Sequence, residues 1–118
     1  RLLASDGTAT LSWLDAKTGL VISTLKVLDR GKPVRALNEL EWIGGEIWAN
    51  VWKTDEIVRI DAKNGEVLGW VDIAPWLENL DWRPQADVLN GIAWDASNGE
   101  IYLTGKYFPL TLVVHWRP

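Results

Sequence analysis

Two asparagines, a tryptophan and a lysine carry the chemistry that this sequence offers: Asn38, Trp52, Asn90 and Lys106. An amide both donates and accepts hydrogen bonds, an indole adds an apolar wall with one N–H, and an ammonium donates three. Gathered around one concave opening, such groups could bind a small polar ligand. Two hairpins must bring them there. LNELEWI and EIWANVW, residues 37–43 and 46–52, flank Gly44-Gly45, a pair able to take the positive φ that a two-residue hairpin turn needs. With those glycines at the turn centre, Asn38 is expected opposite Val51 and Leu37 opposite Trp52. With Asn98-Gly99 as the centre of a second turn, Lys106 is expected opposite Gly91 and Tyr107 opposite Asn90.

Composition limits what surrounds these hairpins. A chain of 118 residues that is 47% apolar is long enough for one domain and too hydrophobic for a disordered segment. Charged or turn residues interrupt every apolar run before the roughly 18 residues of a membrane span, so an all-β module with no membrane partner is expected. Twelve Lys and Arg stand against 16 Asp and Glu, a net charge of −4 that argues against a nucleic-acid partner. The absence of cysteine removes disulfides and thiolate catalysis, and a single histidine, His115, removes a His-rich zinc site. No metal and no cofactor is expected.

Internal repeats set the architecture. Leu3-Ala4-Ser5-Asp6, Trp48-Ala49-Asn50-Val51 and Tyr102-Leu103-Thr104-Gly105 occupy equivalent places. LSWLDAKTGLVISTLKV (11–27) recurs as VRIDAKNGEVLGWVDI (58–73), and ALNELEWIGGEI (36–47) as VLNGIAWDASNGEI (88–101). Short alternating strands punctuated by Thr-Gly, Gly-Gly and Asn-Gly at this spacing predict four-stranded propeller blades. The first blade, about residues 2–27, lacks its inner strand; Asp15 to Gly19 turns into its outer strand. Leu28 to Arg35 is read as a polar crossover. A complete second blade spans about 38–73, and a loop follows over 74–87, where Pro75 starts a helical turn that Pro84 ends. The third blade, about 88–116, lacks its outer strand. The whole is one partial propeller domain, with one complete and two incomplete blades. Rotation about the propeller axis should bring Asn38, Trp52, Asn90 and Lys106 to one mouth, with Ser5 and Asp6 nearby.

At these residues the chain resembles a known family. LNELEWIGGEIWANVWKTDEIVRID, GEVLGWVDI and DVLNGIAWD with GEIYLTGKYFP are together similar to the C-terminal half of the plant and bacterial glutaminyl cyclases, the glutamine cyclotransferases. The resemblance runs from about Leu3 to Val114. It implies a five-bladed β-propeller that converts the N-terminal glutamine of a peptide to pyroglutamate with release of ammonia, without catalytic zinc, in a periplasmic or secreted setting. It also implies that Asn38 contacts substrate, Trp52 lines the pocket, and Lys106 of the TGK motif joins them, with Lys106 or Asn38 donating to the amide oxygen as it gains charge. Asn90 is added as substrate-binding by its place on the rim. The family's general acid/base Glu sits in an E-S-T-G-like stretch of earlier blades, which does not occur here. The expected partners are therefore an N-terminal-Gln peptide or protein, and an N-terminal half or a second copy that closes the ring.

Plainer readings apply to the same residues. Most of the nine Trp are expected in blade packing or on the rim. Lys106 alone reads as a solvated strand-end lysine, Asn38 as a strand-start amide bonded to backbone, and His115 as structural. Glu39, Glu41 and Glu46 alternate away from the apolar positions and read as a solvated face, with Glu39 a weak stand-in for the missing acid. Two alternatives to the enzyme are a non-catalytic propeller module binding peptides or glycans, and a self-associating propeller fragment.

Overall fold

The computed structural model describes residues 1–117 and is almost entirely β. Its centre is the antiparallel four-stranded sheet β6-β7-β8-β9, with β6 Leu37–Ile43, β7 Glu46–Val51, β8 Glu56–Asp61 and β9 Val67–Asp72. On one side lies a three-stranded sheet of β1 Leu2–Ala4, β2 Thr10–Leu14 and β3 Val21–Lys26. On the other lies a three-stranded sheet of β10 Leu89–Asp95, β11 Glu100–Gly105 and β12 Leu112–His115. One four-stranded blade therefore stands between two three-stranded ones, as the repeats predict.

Period-two alternation explains how the middle blade holds both neighbours. On β7, Ile47 and Ala49 pair with Ile60 and Val58 and pack with Leu11, Val27 and Leu37 toward the first blade. Trp48 faces the other way, into a core with Ile57 of its own sheet and Leu89, Ile92, Ile101 and Leu103 of the third blade. Both faces of the sheet are thus covered, which explains a strand as apolar as IWANV. Trp48 is the one tryptophan in the core, and its Nε1 donates to Glu46, which also receives a bidentate pair from Arg59 at 2.7 and 2.8 Å.

The connections depart from expectation in two places. Residues 28–35 are not simply a polar crossover: β4 Leu28–Asp29 and β5 Lys32–Pro33 form a tight hairpin, and Val34 is buried in the core between the first two blades. Arg30 and Gly31 both take positive φ there, as a two-residue hairpin turn requires. In the long loop, Pro75 does begin a short helix, α1 Ala74–Leu77, whose Leu77 is fully buried. Pro84 does not end it. It lies in the first turn of a separate 3-10 segment, Arg83–Gln85, where the missing N–H costs nothing because that donor has no helical partner.

Candidate functional site

Each site residue sits where an inner strand begins or a second strand ends, and each hairpin departs from the expected register there. Leu40 faces Ala49 as expected, but Leu37 faces Val51, so Asn38 and Glu39 together oppose Asn50 alone. Asn38 is therefore not opposite Val51, nor Leu37 opposite Trp52; the Trp52 N–H instead donates to Ala36 at 2.9 Å. The third blade repeats this. Leu89 faces Gly105 and Ile92 faces Leu103, leaving Asn90 and Gly91 opposite Thr104, while the Lys106 N–H donates to Val88 at 2.9 Å. The expected partners Gly91 for Lys106 and Asn90 for Tyr107 are both overturned. Part of the error lies in the loop. Asp95 pairs with Glu100, so the turn holds the four residues Ala96 to Gly99 rather than being centred on Asn98-Gly99.

These bulges have a physical cause in the sequence. Leu37 and Leu40 both pack toward the first blade, and Leu89 and Ile92 both pack toward the second. Residues three apart in a regular strand lie on opposite faces; one extra residue returns them to the same face. The shared Leu-Asn-x-Leu/Ile pattern is thus a bulge with an asparagine in it. The two hairpins place Asn38 and Asn90 at one equivalent position, and Trp52 and Lys106 at another. Lys53 and Tyr107, the next residues, both take left-handed φ, 66° and 60°. A non-glycine residue in that region costs about 1 kcal/mol or more and is found preferentially at ligand sites.

Asn38 and Trp52 line one cavity of about 360 Å³ with Ser5, Asp6, Gly7, Ala36 and Leu37. The Trp52 ring is half exposed, and Lys53 Nζ stands 4.5 Å from its centroid. Hydrogen bonds from the Thr8 hydroxyl and N–H hold the Asp6 carboxyl below the usual range, so this rim carries a fixed negative charge. Lys106 and Asn90 do not line that cavity. Lys106 pairs with Asp87 at 3.4 Å beside a second cavity, walled by Lys53, Asp55, Arg83 and Asp87. Arg83 bonds Asp55 at 2.8 Å, so the long loop is fastened to the middle blade at this wall. The side-chain oxygen of Asn90 is buried without a partner among the described residues.

The acidic residues of β6 and β7 are not a solvated face. Glu39, Glu41 and Glu46 are all half-buried, because an inner blade strand has a neighbour on each side. Burial, helped by the Glu41 charge, raises the Glu39 carboxyl above its ordinary range against the pull of the Ile92 N–H. A raised carboxyl favours folding below its unfolded pKa and loses that contribution as pH rises through the folded one. Glu39→Gln is therefore expected to raise Tm at neutral pH, with the gain vanishing in acid; melts across that range measure it, and a pH-independent gain would contradict it. His115 is exposed at the end of β12. Among the described residues no group of three His, Asp or Glu is placed to hold a metal. Asn50, fully buried and bonded to the Gly91 N–H at 3.0 Å, is the residue that reading the sequence missed. A lone polar side chain inside IWANV was the available signal.

Residues 1–115 match the family described as Glutamine cyclotransferase. The chain belongs to that family. It is 44% identical over 110 residues to a glutaminyl-peptide cyclotransferase of Arabidopsis thaliana, an alignment covering 92% of this chain and 34% of the relative. The crystal structure of Myxococcus xanthus glutaminyl cyclase superposes with a TM-score of 0.80 at 33% identity, covering 95% of this chain and 51% of that one. This cyclotransferase-family chain is thus a partial propeller that spans about a third to a half of the relatives it matches.

Proposed function

We propose that the chain supplies the substrate-side part of a glutaminyl-peptide cyclotransferase. The observation that carries this reading is the paired placement of Asn38 with Trp52 and of Asn90 with Lys106, at equivalent positions of adjacent blades, in a member of the cyclotransferase family. In the reaction the free α-amine of an N-terminal glutamine attacks its own side-chain carboxamide carbon. The new C–N bond closes the five-membered lactam, the carboxamide C–N bond breaks, and ammonia leaves with the proton shed by the amine. Asn38 or Lys106 stabilises the oxygen as charge develops on it. Trp52 walls the cavity against water, which disfavours hydrolysis to glutamate.

Lys106 is available for this because its pair with Asp87 is about half exposed on both sides, and such pairs contribute at most about 1 kcal/mol. A carboxyl group must shuttle the proton. It is expected from blades that complete the ring, contributed by an N-terminal half or a second copy. The test is the full-length protein incubated with a peptide beginning in Gln and with its N-acetylated counterpart. Loss of one ammonia from the free peptide alone is expected. A peptide that binds and is recovered unchanged would overturn the enzymatic reading in favour of a binding module.

A further inference from the structure

The bulge that carries each asparagine of the site is held by a side chain from the blade before it. The Ser5 hydroxyl donates to the Asn38 carbonyl at 2.6 Å. Asn50 accepts the N–H of Gly91, the residue after Asn90, on its Oδ1 at 3.0 Å. Ser5 and Asn50 are equivalent in the repeat: each follows an alanine, Ala4 or Ala49, that pairs with the next strand at Ser12 or Val58. Asn50 also lies opposite the bulged Asn38 and Glu39 of its own blade. It therefore stands between the bulge of one blade and the bulge of the next.

Packing alone does not explain the amide there. Asn50 is fully buried, yet its Nδ2 has no hydrogen-bond partner among the described residues, and neither has the buried Oδ1 of Asn90. An apolar residue would remove the unpaired Nδ2 but would take away the acceptor of the Gly91 N–H, so the amide is kept for the bulge it bonds rather than for the space it fills. Gly91, at φ 151°, has a backbone freedom that only glycine enjoys, so the bulge it forms is fixed by an outside tether rather than by its own conformation.

The geometry points to Asn50 as a positioning residue of the substrate pocket: it anchors the Asn90–Gly91 bulge from the preceding blade, as Ser5 anchors Asn38 one blade earlier. This rests on the cyclotransferase reading. Neither residue touches the reacting atoms. They set where the two amides stand, and a displacement of a fraction of an ångström there is felt in the chemical step.

The test uses the full-length protein and a Gln-peptide, reading kcat, KM and Tm together. Ser5→Ala is expected to lower kcat about tenfold with little change in KM or Tm, and Ser5→Thr, which keeps the hydroxyl, to restore it. Asn50→Asp retains an acceptor for Gly91 and should fall between wild type and Asn50→Ala. Adding Asn90→Ala to Asn50→Ala should cost nothing further, because Asn50 acts through Asn90. Losses that track only the folded fraction, that multiply in the double variant, or that Ser5→Thr fails to repair would overturn the proposal alone. Should Asn50→Ala not fold, Asn50→Asp and the Ser5 pair decide. A wild-type protein without turnover overturns the cyclotransferase reading and the proposal with it.

Discussion

Asn38→Ala in the full-length protein is expected to lower kcat/KM on a Gln-peptide by roughly 10²-fold, and Lys106→Ala by a similar factor, with Tm little changed in either. The expectation of an unchanged fold comes from what each side chain holds. Asn38 is tied into the structure through its backbone carbonyl, which Ser5 bonds and which alanine keeps. Lys106 makes one exposed ion pair, with Asp87. Neither truncation removes buried apolar contacts, so a loss of activity would report the transition state rather than the fold. Trp52→Ala should act differently, raising KM more than it lowers kcat, because the ring is wall rather than donor. Unchanged kcat/KM in both Asn38→Ala and Lys106→Ala would remove these residues from the mechanism.

Gly91→Ala is expected to destabilise the protein by about 2–4 kcal/mol. Two costs combine. The φ of 151° lies where L side chains are rarely found, and an added Cβ would stand 2.7 Å from Thr104 Cγ2. Threonine is branched at Cβ and cannot swing that methyl away freely. Thr104→Ser removes the methyl, so the double variant should recover the steric part and retain the backbone part. Full recovery, or none, in urea or thermal melts would show that only one of the two costs is real.

The elements were legible in the sequence because their cues are local. Short apolar, β-branched and aromatic runs in EIWANV and EIVRID, and turn residues in DAKTG, DAKNG and DASNG, mark strands and their ends without reference to the rest of the chain. Repetition of those cues marks the blades. Register was not legible, since counting outward from a turn assumes a regular ladder, and one bulge shifts every pair beyond it. The Leu-x-x-Leu and Leu-x-x-Ile spacing of residues 37–40 and 89–92 carries the bulge, but only once both residues are known to face one side. The loop of the third hairpin shows the same limit: DASNG repeats DAKTG, and the repeat was a better guide than the Asn-Gly pair within it. Glu39 and Glu46 depart from the expected solvated face because alternation assumes a sheet with one wet face, and a blade between blades has none.

The bulge of β6 has a consequence for how this surface can change over generations. Asn38 occupies one of two places set against a single residue of β7, and that surplus keeps Leu37 on the same side as Leu40. Exchange of the asparagine for another residue leaves the chain in phase. So does its deletion, which would set Leu37 and Leu40 two apart, the spacing at which a regular strand already keeps both on one face and opposite Val51 and Ala49. The strand therefore does not need the extra residue to seat Leu37 in the seam between the first two blades, and the amide and its bulge can be lost together without turning the core over.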